Sequence, residues 1–204
     1  MENANEVAAR TAPSKSGNGA VFVIDGRRSR FTVQAFATGI FSAMGHNPTI
    51  GIRTFSGQVE FNADALEAGA FRLTIQSSSL AVQDDISDKD RKEIERVMKA
   101  DVLEIEKYPE IRYEASSISI QKIDGSLYSA TVNGSLSLHG VTRVEAIPVR
   151  ILTMGEMLRA SGDFTLKQSN YQIKPVSVAG GALKMKDELK FSFEMVANKQ
   201  EPNA

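Results

Sequence analysis

The stretch LYSATVNGSLSLHGVT, residues 127–142, decides the fold because two kinds of residue alternate along it. Every second position from 128 to 138 holds an apolar residue or glycine, and the positions between them hold Ser, Thr or Asn. A strand places two such sets on opposite faces, whereas a helix would mix them around its axis. About a dozen alternating residues exceed the usual strand length of about five to six. The stretch therefore predicts a long strand that covers a broad apolar interior.

The composition excludes several classes of protein. The 204 residues contain 24 Lys and Arg against 25 Asp and Glu, and this balance argues against a nucleic-acid partner, which normally requires a basic surplus. No apolar run approaches the roughly 18 residues of a membrane-spanning helix, so we expect a soluble protein without a transmembrane segment. The chain has no cysteine, which excludes disulfides, thiolate metal sites and a cysteine nucleophile.

Strand-like alternation recurs along most of the chain after residue 20. The segments that show it are 29–38, 50–62, 70–82, 111–123, 143–152, 158–166 and 189–195. The exception is 87–104, where Ile94, Val97, Met98 and Val102 recur at helical spacing. Roughly eight long antiparallel strands and one inserted helix favour an antiparallel barrel. An open two-sheet sandwich is the alternative, because periodicity does not distinguish the two.

The same pattern predicts the domain boundaries. Residues 1–19 are small and polar, which predicts a disordered N-terminal tail. Residues 20–197 form a single barrel domain, and 198–204 form a polar C-terminal tail. The first segment lacks the basic start and apolar stretch of an export signal, so the sequence predicts a cytoplasmic location.

The chain contains no recognisable catalytic motif. A G-x-S-x-G elbow, a Gly-rich phosphate loop and a metal-spaced His cluster are all absent from the sequence. The two histidines are His46, in a Gly- and Pro-containing loop, and His139, which precedes Gly140 and is interpreted as a turn residue. Two histidines do not complete a typical protein metal site. We therefore predict no catalytic residue, no metal and no cofactor.

Three phrases together resemble the YceI-like family of lipocalin-like bacterial proteins that bind polyisoprenoids. They are FSGQVEFN at 55–62, ADVL at 100–103 followed by YPEIRYEAS at 108–116, and NGSLSLHGVTR at 133–143. The resemblance extends over roughly residues 20–197. It implies an extended eight-stranded antiparallel lipocalin-like β-barrel, with an internal channel for a long isoprenoid chain and no catalytic residues. Many family members carry an export signal, so the resemblance implies the periplasm as an alternative location.

These inferences predict an all-β protein with one inserted α-helix that binds, transports or sequesters a long-chain amphiphilic ligand, a polyisoprenoid or a fatty lipid. Strand-borne apolar residues are predicted to line the channel, namely Phe36, Phe55, Val59, Phe61, Leu73, Ile75, Tyr113, Leu136 and Phe164. His46 is predicted to contact the polar group of the ligand at the channel mouth. In a filled barrel the same apolar residues would form an ordinary core.

Two other functions and one assembly state remain open on sequence grounds. An enzyme that acts on a lipid-like substrate would use His46 with a nearby carboxylate or tyrosine. A ligand-free barrel would serve as a stress-response or interaction module. Exposed strand edges would allow a homodimer.

Overall fold

The computed structural model describes residues 19–39, 47–62, 67–178 and 183–201. Within them, antiparallel strands predominate: β1 (Ala20–Ile24), β2 (Arg30–Gln34), β3 (Ala37–Thr38), β4 (Thr49–Ile52), β5 (Phe55–Asn62), β6 (Glu67–Gln76), β7 (Leu80–Val82), β8 (Glu110–Asp124), β9 (Leu127–Leu138), β10 (Val141–Met154), β11 (Met157–Lys167), β12 (Ser177–Val178), β13 (Leu183–Met185) and β14 (Glu188–Lys199). The helix α1 (Asp88–Val97) lies between β7 and β8. Residues 1–18 of the predicted N-terminal tail (1–19) and residues 202–204 of the predicted C-terminal tail (198–204) lie outside the described residues, and β14 continues to Lys199.

Eight of these strands close into a barrel. Their order around the wall is β1-β5-β6-β8-β9-β10-β11-β14, and β14 pairs back with β1. Closure is made by the first and last strands, with Phe22 opposite Lys199 and Ile24 opposite Ala197. The prediction of an eight-stranded antiparallel barrel is therefore confirmed, and the open sandwich is excluded.

Three shorter strands extend one end of the barrel. β14 pairs with β2 at residues 190–194, and the order continues to β4 and β7. We call this the upper end; it also carries α1 and the His139–Gly140 turn. A small sheet of β12, β13 and β3 is the second sheet of the described chain. The lower end carries the tight turns that join β8 to β9 and β10 to β11.

The strand β9 alternates as its sequence predicts. Tyr128, Ala130, Val132 and Leu136 are buried, and their neighbours are less so. The two-residue connection to β10 has positive φ at both His139 (51°) and Gly140 (75°), as a type I′ hairpin turn requires. The interpretation of His139 as a turn residue is confirmed.

Helix α1 begins at a capped N-terminus and closes an open strand edge. The Ser87 hydroxyl accepts the Asp90 N–H at 3.1 Å. Two helix side chains contact β7: the Arg91 guanidinium donates to the Val82 carbonyl at 2.7 Å, and the Glu95 carboxylate accepts the Val82 N–H at 3.0 Å. These side chains satisfy part of the edge of β7, which would otherwise be free to pair. The helix ends in a π-helical turn at Met98–Val102.

Candidate functional site

The interior of the barrel is hollow. A cavity of about 550 Å³ runs along it, within the usual range of small-molecule sites. On β11 the lining extends from Leu158 near the lower end to Leu166 near the upper end, roughly 20 Å along the axis for strands tilted near 40°. At about 30 Å³ per methylene-sized group, the cavity has room for roughly eighteen such groups.

Aromatic rings form one wall of this cavity. Phe31 stacks on Phe193 with ring centroids 5.9 Å apart, and Phe164 stacks on Phe191 at 4.9 Å. These rings come from β2, β11 and β14, which are neighbours in the sheet. The wall opposite in the strand order is mostly aliphatic and includes one aromatic ring, that of Tyr113; its aliphatic residues are Ile111, Ile118, Val132, Leu136 and Leu138. Apolar walls of this kind favour a ligand that buries hydrocarbon.

Helix α1 and the π-helical turn supply another part of the lining. Ile94, Val97, Met98 and Val102 contribute to the cavity wall. Of the charged residues, Glu93 and Lys167 reach the lining. Glu93 forms an exposed ion pair with Arg96 at 2.8 Å, and Lys167 ends β11 at the upper end of the barrel. Charged atoms are thus confined to the upper end, and the middle and lower parts of the lining are uncharged.

The hydroxyl groups of two tyrosines are among the few polar atoms of the barrel interior. The Tyr113 hydroxyl donates to the Val132 carbonyl at 2.9 Å or to the Glu145 carbonyl at 3.0 Å. The Tyr171 hydroxyl donates to the Glu145 carboxylate at 2.7 Å. Burial, followed by the negative charge of Glu145, raises the pKa of Tyr113 to about 12. Burial and the hydrogen bond to Glu145 also raise the pKa of Tyr171, so both phenols remain neutral donors at ordinary pH.

His139 contacts three neighbouring segments at the upper end of the barrel and is not part of the cavity lining. Its ring contacts Glu104 Oε2 at 2.7 Å and the Tyr171 carbonyl at 3.2 Å, and it lies 4.6 Å from the ring of Tyr108. The side chain is only 10% exposed. His139 therefore joins the helix-to-β8 connection, the β9–β10 turn and the turn after β11. Within the described ranges, no group of three or more His, Asp or Glu side chains is placed to hold a metal ion.

Most of the channel residues predicted from the sequence come together on the cavity wall. They are Val59, Phe61, Leu73, Ile75, Tyr113, Leu136 and Phe164. Phe55 is not part of the lining; its ring packs edge-on against that of the lining residue Phe31, with centroids 4.8 Å apart. Phe36 also lies off the wall, beneath the Lys186 ammonium group at 5.8 Å from the ring centroid. His46 lies outside the described residues.

The displacement of Phe36 has a simple cause. The alternation of residues 29–38 suggested one strand, but β2 ends at Gln34 and Ala37–Thr38 pairs with the separate small sheet. The alternation of β2 therefore does not determine the side to which the Phe36 ring points. Sequence reasoning also missed Phe31, Phe71 and the helix residues as lining. The apolar residues at helical spacing in 87–104 predicted the helix and its buried face, but they do not show that this face covers the cavity rather than a filled core.

A closed antiparallel barrel around an apolar cavity, with uncharged walls except at one end, defines a lipocalin-like architecture. The chain belongs to the family described as the YceI-like domain, which matches residues 22–197. A search of curated proteins found no match.

Three solved structures are similar to this chain. BcnA of Burkholderia cenocepacia has a TM-score of 0.64 at 22% identity, over 86% of this chain and 99% of that one. A polyisoprenoid binding domain from Saccharophagus degradans, implicated in plant cell wall breakdown, has a TM-score of 0.65 at 14% identity, over 90% and 100%. A YceI protein of Campylobacter jejuni has a TM-score of 0.58 at 17% identity, over 77% and 88%. At these identities the similarity establishes the shared fold. No helix in the described part of the chain has the length and apolar character that a membrane crossing requires.

Proposed function

We propose that this protein binds a long-chain amphiphilic lipid of the polyisoprenoid type inside its barrel and carries or sequesters it. The single observation that supports this most is the cavity of about 550 Å³, whose middle and lower lining is uncharged and largely aromatic and aliphatic. Filling it with hydrocarbon would gain about 0.8 kcal/mol for each buried methylene, before the costs of ordering the chain. An empty apolar cavity of this size would instead forfeit packing contacts.

The size of the cavity defines the part of the ligand that is enclosed. Room for roughly eighteen methylene-sized groups corresponds to three or four isoprene units. A longer polyisoprenoid would place its remaining units and its polar group outside the barrel. The charged side chains that reach the lining, Glu93 and Lys167, lie at the upper end. We therefore place the polar group of the ligand at that end, with the apolar tail toward Phe61 and Leu158.

Binding accounts for the polar atoms of the interior better than catalysis does. The hydroxyls of Tyr113 and Tyr171 donate to backbone or carboxylate oxygens, and the described side chains bury no nitrogen or oxygen without a hydrogen bond. A catalytic nucleophile or base would instead be directed at a reacting atom in the cavity.

Native mass spectrometry and solvent extraction of the purified protein test this proposal directly. We expect one apolar molecule per protein, lost after delipidation and regained from prenols of defined length. The same prenols should be recovered unchanged after prolonged incubation. Chemical conversion of the prenol would favour an enzyme, and a delipidated protein that takes up no prenol would contradict binding altogether.

A further inference from the structure

The helical segment at the upper end of the cavity, α1 with its π-helical turn, has few buried contacts of its own. Ile94, Val97, Met98 and Val102 line the cavity, yet no residue of α1 or of the turn is fully buried. An apolar face over a hollow interior finds fewer partner atoms than one over a filled core. Segments with few buried contacts open at a lower free-energy cost than the rest of a fold. The contacts that hold its ends therefore control how readily this segment lifts.

The C-terminal end of the helical segment is held by the ring of His139. Leu103 lines the cavity, and the next residue, Glu104, has positive φ (44°), so that the chain turns sharply there. The Glu104 carboxylate lies 2.7 Å from Nε2 of His139, and the other ring nitrogen, Nδ1, lies 3.2 Å from the Tyr171 carbonyl. Tyr171 is fully buried, whereas the Glu104 side chain is 45% exposed. The ring therefore joins the end of the helical segment to a fixed point of the barrel.

Both contacts of the His139 ring need a donated proton. A carboxylate and a backbone carbonyl only accept hydrogen bonds, so the two contacts together require the doubly protonated imidazolium. A neutral imidazole has one N–H, and its other nitrogen would then place a lone pair against an oxygen. The carbonyl of the buried Tyr171 is held in place, but the exposed carboxylate of Glu104 is free to turn to solvent. Loss of the proton therefore leaves Nδ1–H on Tyr171 and breaks the contact with Glu104.

The other titratable groups near His139 belong to the segments packed against it. The Tyr108 ring lies 4.6 Å from the imidazole, and the Lys107 ammonium lies 4.9 Å from the centroid of the Tyr108 ring. A hydrogen bond with the Tyr108 hydroxyl raises the pKa of Lys107, so the lysine stays charged. The Tyr171 hydroxyl donates to Glu145, and burial raises the pKa of this phenol, which stays neutral. Because histidine ordinarily changes charge between pH 5 and pH 8, His139 is the member of this group that responds in that range.

We propose that the Glu104–His139–Tyr171 contact is a pH-sensitive latch that holds the helical segment over the cavity at low pH and releases its C-terminal end as the pH rises. His139 is thus a positioning residue, because it acts on the ligand only through the helical segment. Release of the ligand should become about five-fold faster from pH 5.5 to pH 8, the effect of one partly exposed charged contact. The effect on the ligand rests on the proposed function, whereas the state of the latch itself needs no ligand.

Stopped-flow release of a dansyl-labelled prenol into excess unlabelled prenol, at pH 5.5 and pH 8, tests the latch. Glu104→Gln should release slowly at both pH values, because the Gln side chain accepts from a charged ring and donates to a neutral one. His139→Asn keeps a residue that tolerates the positive φ of this turn but has no titrating ring, so its release should be fast at both.

The matched control is Glu106→Gln, which removes an exposed carboxylate two residues further along the same connection. It should keep the rise in release rate that the parent shows. Circular dichroism melts establish that each variant is folded. A parent whose release rate does not rise with pH, or a folded Glu104→Gln variant in which the rise persists, overturns the proposal.

Two measurements without ligand separate failure of the latch from failure of the proposed function. The chain has two histidines, so the imidazole nitrogen NMR signals lost in His139→Asn identify the ring. We expect both ring nitrogens to be protonated at pH 5.5 and only Nδ1 at pH 8. Amide protection at Leu103 and Ile105, which donate to Met98 and Lys99, should fall over the same range after correction for intrinsic exchange. A ring or a protection that does not change overturns the latch. If both change but no prenol binds, the latch is supported and the proposed function is contradicted.

Discussion

Replacing Ala160 with phenylalanine should reduce the affinity for a long-chain ligand by ten- to a thousand-fold. Ala160 lies on β11, opposite Ile151 and Met195 on the neighbouring strands, and its side chain faces the cavity. A benzene ring fills an apolar cavity of about 150 Å³. The substitution would therefore occupy about a quarter of the 550 Å³ available to the ligand.

The magnitude follows from the displaced hydrocarbon. A volume of about 150 Å³ corresponds to roughly five methylene-sized groups, worth about 4 kcal/mol at 0.8 kcal/mol each. This is the upper limit, equivalent to about a thousand-fold, because a flexible chain can shift toward the upper end and recover part of its contacts. A shift that recovers more than half of them still leaves about a ten-fold loss.

Fluorescence titration of delipidated protein with a dansyl-labelled prenol measures the effect. Ala70→Phe is the matched control, because Ala70 is exposed on β6 and lies outside the cavity lining. Its affinity should equal that of the unchanged protein. Thermal melts establish that both variants are folded. An Ala160→Phe protein that is folded and binds within two-fold of the parent would refute binding in the barrel interior.

Three further predictions concern the ligand, the interior and the helix. Across prenols of increasing length, affinity should rise up to roughly eighteen carbons and then flatten, as measured by displacement of the dansyl probe; a rise that continues well beyond would contradict an enclosed cavity. Tyr113→Phe should lower the free energy of unfolding by about 1 kcal/mol in urea titrations at pH 8, since one interior hydrogen bond is lost. Because the folded protein raises the pKa of Tyr113 from 10.0 to about 12, the parent should lose stability between pH 10 and pH 12 as the phenol ionises, and Tyr113→Phe should lose less. Arg91→Ala should cost about 1.5 kcal/mol through its bonds to the edge of β7, whereas the exposed control Lys92→Ala should cost almost nothing.

The sequence predicted the parts of the fold that repeat locally. The alternation of residues 127–138 specified β9, and the following His139–Gly140 pair specified its turn, because both signals depend on a few adjacent residues. Cavity-facing residues inside long regular strands, such as Leu73 and Leu136, were predictable for the same reason.

Features that depend on how distant segments meet were not predictable. Phe36 carries the right chemistry, but β2 ends before it and the chain joins the separate small sheet at Ala37. Phe55 lies opposite the lining residue Ile75, yet its ring packs against Phe31 and is not part of the lining. The helix lines the cavity because β7 offers it an edge through Val82, a contact that periodicity does not encode. The ladder between β10 and β11 covers only Arg150–Met154 and Met157–Ser161, a divergence of two long strands that the alternation of neither strand predicts.

Closure of the wall by β1 and β14 has a consequence for how this protein is made. Ala20–Ile24 can pair with Ala197–Lys199 only after β14 has been synthesised, so the barrel cannot close while the chain is still being made. At about 5–20 residues per second, an apolar sheet face the length of the barrel stays uncovered for roughly ten seconds or more. Pairing the two ends is also the most non-local step of folding and therefore slow. The nascent chain should thus depend on chaperones far more than its finished, closed form would suggest.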